Sequence, residues 1–141
     1  MIRVGVAFIV TAATFCLLDA VWLGWVAMGF YRAEIGELLR AQPNMLAAAV
    51  FYVLYICGVL IFVVMPARGL PYRHALVRGA LFGLFTYMTY DLTNLATLRG
   101  WSWRVVLADI VWGMFVTGAA SYCGSVALSR LERWRALNGA R

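Results

Sequence analysis

The sequence predicts an all-α integral membrane protein, a four-helix bundle with both termini in the cytoplasm. Three observations carry this expectation. Hydrophobic residues make up 65% of the chain and charged residues 13%, against about half and a quarter in a soluble domain. Four apolar stretches, about 4–28, 45–65, 76–98 and 104–128, each reach the roughly 20 residues that a spanning helix needs. The formal charge of +6 comes from twelve arginines and no lysine, and the arginines stand at segment ends and connections. The positive-inside rule accounts for that distribution, so no nucleic-acid partner is expected. With 141 residues the chain is read as one domain.

The first stretch follows Met1, Ile2 and Arg3 and resembles a signal peptide only at its start. It runs on to about Phe30, carries Asp19, Trp22 and Trp25, and shows no clear cleavage site, so it is read as an uncleaved span. Residues 31–43 place Ile35, Leu38 and Leu39 at helical spacing among Arg32, Glu34, Glu37 and Arg40, which predicts a small interfacial helix ended by Pro43. Residues 66–75 form a basic turn with Arg68, Arg73 and His74. Residues 99–103 form a tight aromatic turn, with Trp101 and Trp103 expected in an outer aromatic belt. The tail, 129–141, carries Arg130, Arg133, Arg135 and Arg141 and reads as a basic cytoplasmic helical end at the lipid surface.

Arginine counting sets the orientation, with the second connection and both termini inside. At ~1.5 Å per residue, Asp19 lies ~22 Å up the first helix and Asp91 at a similar height on the third. Asp109 lies ~7 Å from the outer end of the fourth. All three acids are therefore expected in the outer leaflet, with Asn94, Tyr52 and Tyr55, over nearly apolar inner halves. An acid at a helix centre costs on the order of 2.5–3.5 kcal/mol on insertion scales, so such residues face a protein interior or a wet cavity.

The third stretch is the richest. Tyr87, Asp91 and Asn94 share one helix face, which Gly83 and Ala80 continue below. Gly79 and Gly83 form a small-residue pair that permits close helix approach. The first and fourth stretches share a short pattern, Asp19-x-x-Trp22 and Asp109-x-x-Trp112, in which each indole stands one turn from an acid and can donate to a neighbouring carboxylate. The candidate ligand-binding set is thus Asp19, Trp22, Tyr52, Tyr87, Asp91, Asn94, Asp109 and Trp112. The bland alternative is a hydrogen-bond lock that holds the bundle, or an ion pair from Arg99 or Arg104 folded down onto an acid.

No cofactor or metal is expected. Without lysine no Schiff base forms. The single histidine, His74, excludes bis-histidine haem and argues against zinc. Cys16, Cys57 and Cys123 have no metal or redox spacing and read as small buried hydrophobes.

Asp19-x-x-Trp22-Leu23, Phe51-Tyr52, the block Tyr90-Asp91-Leu92-Thr93-Asn94 with Ala96-Thr97-Leu98, then Trp101 and Asp109-x-x-Trp112-Gly113 together resemble the bacterial membrane protein family known as domain of unknown function 2177. The resemblance spans nearly the whole chain, and its Tyr-Asp-Leu-Thr-Asn block is the most specific part. It implies a four-helix, multi-pass protein of the bacterial inner membrane and brings no activity with it.

Three functions are compatible with this pattern. The first is a pocket, opening to the outer leaflet, that binds or modifies a lipid-like molecule. The second is an accessory or assembly subunit whose Asp, Asn and Tyr network is structural. The third is a small proton- or cation-coupled transporter. Membrane lipids are the expected surroundings, homo-oligomerisation stays open, and the pattern does not separate an enzyme from a binding protein.

Overall fold

The computed structural model describes residues 2–138, so Arg141 and the last residues of the tail lie outside it. The described residues are all-helical, with no strand. Helix α1 (Ile2–Val21) passes into a turn of π-helix at Trp22–Val26, then into the short α2 (Met28–Ile35) and one 3₁₀ turn at Gly36–Leu38. Helix α3 (Met45–Val59) ends in a second π turn, Leu60–Val64. Helices α4 (Tyr72–Thr97) and α5 (Trp103–Asn138) complete the chain.

Three helical segments are long and apolar enough to cross a membrane: Arg3–Val26, Met45–Val64 and Trp103–Asn138. Helix α4 is long enough at 26 residues but less apolar. Its polar tally overstates its cost. Thr86, Thr89, Thr93 and Thr97 each turn the hydroxyl back onto the carbonyl four residues earlier, at 2.9, 2.6, 2.6 and 2.7 Å. Those donors are satisfied inside the helix.

The tightest seam runs between α4 and α5, which pack together more extensively than any other pair of elements. The reason is the absence of side chains at the contact. A Cβ on Gly79 would sit 2.4 Å from Ser121 Oγ, and one on Gly83 would sit 2.1 Å from the Gly113 carbonyl oxygen. Further along, the Tyr87 ring lies over Gly113. Small residues on both helices let the backbones approach, the usual means of association where no hydrophobic force acts between helices. Helix α1 joins α5 in the same way, with Thr11 against Gly124.

Helix α3 is different. Its C-terminal end and the π turn carry Ile56, Val59, Leu60, Val63 and Val64 into the core with Phe15, Val116, Ala120 and Leu128. Its N-terminal half contributes no residue to that buried cluster beyond the partly buried Tyr52 and Tyr55, and Leu46, Val50 and Leu54 stay exposed. The bundle is therefore filled at one end and open at the other.

Each end is stapled by charge. At the filled end Glu132 lies 2.6 Å from Arg68 and 3.9 Å from Arg3, and Arg133 donates to the Tyr72 hydroxyl at 2.7 Å. These contacts hold the tail against the start of α1 and the second connection. The tail through Asn138 is a direct continuation of α5, not a separate surface helix. Cys16 faces outward from α1 rather than into the core, while Cys57 and Cys123 are half-buried.

Gly83→Ala should destabilise the protein by about 1–3 kcal/mol, because its methyl group meets backbone that cannot move aside. Gly5→Ala, with open space at that position, should be neutral or stabilising by about 0.5–1 kcal/mol. Unfolding in mixed micelles, followed by circular dichroism, checks both.

Candidate functional site

The open end of the bundle holds a cavity of about 600 Å³. Tyr52 and Tyr55 line it, and behind them the buried Phe15 ring packs against both at centroid distances of 6.0 and 5.1 Å. The cavity walls come from α1, α3, α4 and α5, and the roof from Ile35, Leu38 and Leu39 of the first connection.

Two acids stand in the walls, and each is held by neutral donors. Asp19 is 7% exposed. Its Oδ2 accepts from the Tyr52 hydroxyl, and its Oδ1 accepts from Trp112 Nε1 at 3.1 Å. Asp109 accepts from the Tyr31 hydroxyl, which itself accepts from Trp22 Nε1 at 3.1 Å. The two Asp-x-x-Trp patterns therefore serve each other across the α1–α5 pair. Trp112 of one holds Asp19 of the other, and Trp22 reaches Asp109 through Tyr31. Between them the two indoles stack with centroids 4.5 Å apart and planes 6° from parallel.

The π turn makes this crossing possible. Ala27 N–H bonds the Trp22 carbonyl at 2.7 Å, one residue beyond α-helical spacing, and α2 restarts immediately behind it. That bend folds Tyr31 back over the end of α1. Such π turns recur at functional positions in helices.

On α4, Thr86, Tyr87 and Tyr90 line the cavity. The Tyr55 hydroxyl hydrogen-bonds Thr86 at 3.1 Å and Thr117 at 2.7 Å, tying α3 to the α4–α5 seam. Asp91 does not line the cavity. It is 0% exposed, and neither carboxyl oxygen has a hydrogen-bond partner among the described residues. Asn94, one turn further, is half-buried and also lies outside the lining. Of the eight sequence candidates, Asp19, Trp22, Tyr52, Tyr87, Asp109 and Trp112 come together around one space, and Asp91 and Asn94 stand apart from it.

Three expectations are corrected here. Arg104 does not fold onto an aspartate; it pairs with Glu34 at 3.1 Å, and among the described residues no ion pair reaches Asp19, Asp91 or Asp109. Trp101 turns inward to line the cavity, edge-on to Tyr90, while Trp103 stays exposed. Gly100, at φ +83°, makes the tight turn between α4 and α5 just before Trp101. The apolar side of the 31–43 segment roofs the cavity instead of facing lipid alone, and its helix ends before Pro43, at Ile35 and the following 3₁₀ turn.

Tyr31 escaped sequence reasoning. Its partner Asp109 is 78 residues away, and no local pattern marks it. The roof residues were visible as an amphipathic run, but not their destination.

The roof is latched by Glu34, which accepts from Ser102 Oγ at 2.5 Å as well as from Arg104. No three His, Cys, Asp or Glu side chains among the described residues are grouped to hold a metal ion.

Fold and site together define an integral membrane protein, all-helical, with an aromatic cavity that carries acids at one end of the bundle. The chain belongs to the family described as "Predicted membrane protein (DUF2177)", whose family model matches residues 4–126. No curated protein and no solved structure matches the chain.

The latch carries a pH prediction. The Ser102 hydrogen bond first, and then Arg104, hold the Glu34 carboxyl below the usual carboxylate range. Its folded value lies below its unfolded one, so its stabilisation is complete above ~4.3 and fades as pH falls through the lowered value. The melting temperature of the wild type should therefore exceed that of Glu34→Ala at neutral pH, and the difference should close in strong acid. A difference independent of pH would contradict the latch.

Proposed function

We propose that this protein is a four-span protein of the bacterial inner membrane that binds a lipid-like, amphipathic molecule in its cavity from the outer leaflet. The single observation that carries the reading is the cavity itself: about 600 Å³, apolar and aromatic over most of its lining, with two acids fixed at its walls. That volume and that mixture of apolar wall and few fixed polar groups suit a small-molecule site.

The topology is supported by charge. Arg3, Arg68, Arg73, Arg78, Arg130 and Arg133 belong to the filled end, with Glu132. Arg32, Arg40, Arg99 and Arg104 share the cavity end with Glu34 and Glu37. The more basic end is the cytoplasmic one by the positive-inside rule, which puts both termini inside and the cavity at the outer leaflet. Helix α4 crosses as the fourth span, its small-residue face sealed against α5 and its threonines satisfied internally.

A structural role for the same residues has one observation in its favour, since Asp19 and Asp109 already have protein donors. The volume between them favours a ligand, because a pure lock is better served by close packing.

Native mass spectrometry of protein released from lipid nanodiscs separates the two. A defined molecule, phospholipid or other, should remain on the wild type and on Asn94→Ala, and be lost from Asp109→Asn. The same lipids retained equally by all three proteins would sink the ligand reading and leave the structural one.

A further inference from the structure

The electrostatics of the cavity are one-sided. Asp19 and Asp109 face it, and the groups that hydrogen-bond them are tyrosine hydroxyls and an indole, all neutral. Among the described residues no arginine or histidine lines the space, and the chain has no lysine. Arg104 at the rim is engaged by Glu34. Nine of the seventeen lining residues are aromatic, so ring faces or edges meet the ligand on most sides. Asp91 stands outside the lining, fully buried, with no hydrogen-bond partner for either carboxyl oxygen among the described residues.

These features select among headgroups. An anion would meet two acids and the negative faces of aromatic rings, with no cation to hold it. A neutral polar head would leave the acids without a counter-charge in a low-dielectric site, where uncompensated charge is costly. A cation gains from both at once, through charge attraction to the acids and cation–π attraction to the rings. The cavity is far larger than a bare metal ion needs, and no three-ligand set of acids, histidines or cysteines converges in it. Its apolar roof asks instead for carbon.

We infer that the ligand of this cavity is an organic cation, an amine or quaternary ammonium joined to an apolar chain, with its head between Asp19 and Asp109 beside the Trp22–Trp112 stack and its chain under Ile35 and Leu38. This rests on the reading that the cavity takes an amphipathic molecule, and adds the charge of its head. The ammonium has two possible chemical sources, a phospholipid headgroup or a free amphiphilic amine, and both present the same group to the acids.

The test compares three probes that share a ten-carbon chain: decyltrimethylammonium, decanol and decyl sulfate. Each is titrated against wild-type protein in neutral maltoside micelles, with tryptophan fluorescence and native mass spectrometry as readouts. The ammonium probe should bind about tenfold tighter than decanol, with one site per chain, and the sulfate should not bind. The Asp19→Asn/Asp109→Asn double variant should lose that preference. The probe comparison itself uses wild-type protein, so it decides the matter even if the variant fails to fold. Equal binding of all three probes overturns the ammonium assignment and leaves the amphipathic cavity standing; binding of none overturns both. Added phosphatidylethanolamine that displaces the ammonium probe, where phosphatidylglycerol does not, names a headgroup as the source. Displacement by neither lipid names a free amine, and displacement by phosphatidylglycerol alone contradicts the assignment.

Discussion

Everything at the open end of this bundle depends on how two carboxyl groups are satisfied inside an apolar protein. Asp19 is served by Tyr52 from α3 and Trp112 from α5; Asp109 is served by Tyr31 from α2, itself held by Trp22 at the end of α1. Each acid thus draws partners from elements other than its own. An acid left without donors in such surroundings costs several times what a single hydrogen bond contributes. The acids therefore act as fixed points to which four elements must come. The spacing that results leaves room between them.

The rest of the fold makes that room without collapsing into it. Glycines at 79, 83 and 113 bring α4 and α5 into backbone contact, so this pair forms a stiff wall. Helix α3 joins the core only through its C-terminal end and π turn, and its other half is tied in by tyrosine hydroxyls: Tyr52 to Asp19, and Tyr55 to Thr86 and Thr117. The aromatic side chains span distances that backbone packing would otherwise close. The first connection then covers the space, fastened at Glu34 to the turn before α5. A cavity held open by hydrogen-bonded rings is an unusual use of buried polar groups, since a lock alone would pack to interior density.

The legible part of this structure was the part written in local pattern. Apolar length disclosed an all-helical membrane protein, and the Gly79/Gly83 spacing disclosed the close seam, because both depend on residues near one another in sequence. The matched Asp-x-x-Trp patterns showed that indoles stand near acids, but not that each indole serves the other helix's acid, which requires knowing how α1 and α5 lie side by side. Tyr31 was invisible because its role comes from a π turn and a partner 78 residues on. The sequence does not show where Trp101 and the roof residues face, since an aromatic turn and an amphipathic run look alike whether their apolar side meets lipid or covers a cavity. Nor does any local pattern mark Glu34, and not an aspartate, as the partner of Arg104.

The Tyr52 hydroxyl and the Asp19 carboxyl are the hydrogen-bonded pair that ties α3 to α1 at the cavity. A double-mutant cycle of Tyr52→Phe and Asp19→Asn, read as unfolding free energy in mixed micelles, measures their coupling directly. An interaction above the ~0.6 kcal/mol average for hydrogen bonds in membrane bundles, reaching about 1–2 kcal/mol, is the predicted result. Additive effects of the two substitutions would mean that the carboxyl does not anchor α3, and the explanation of the cavity would fall with it.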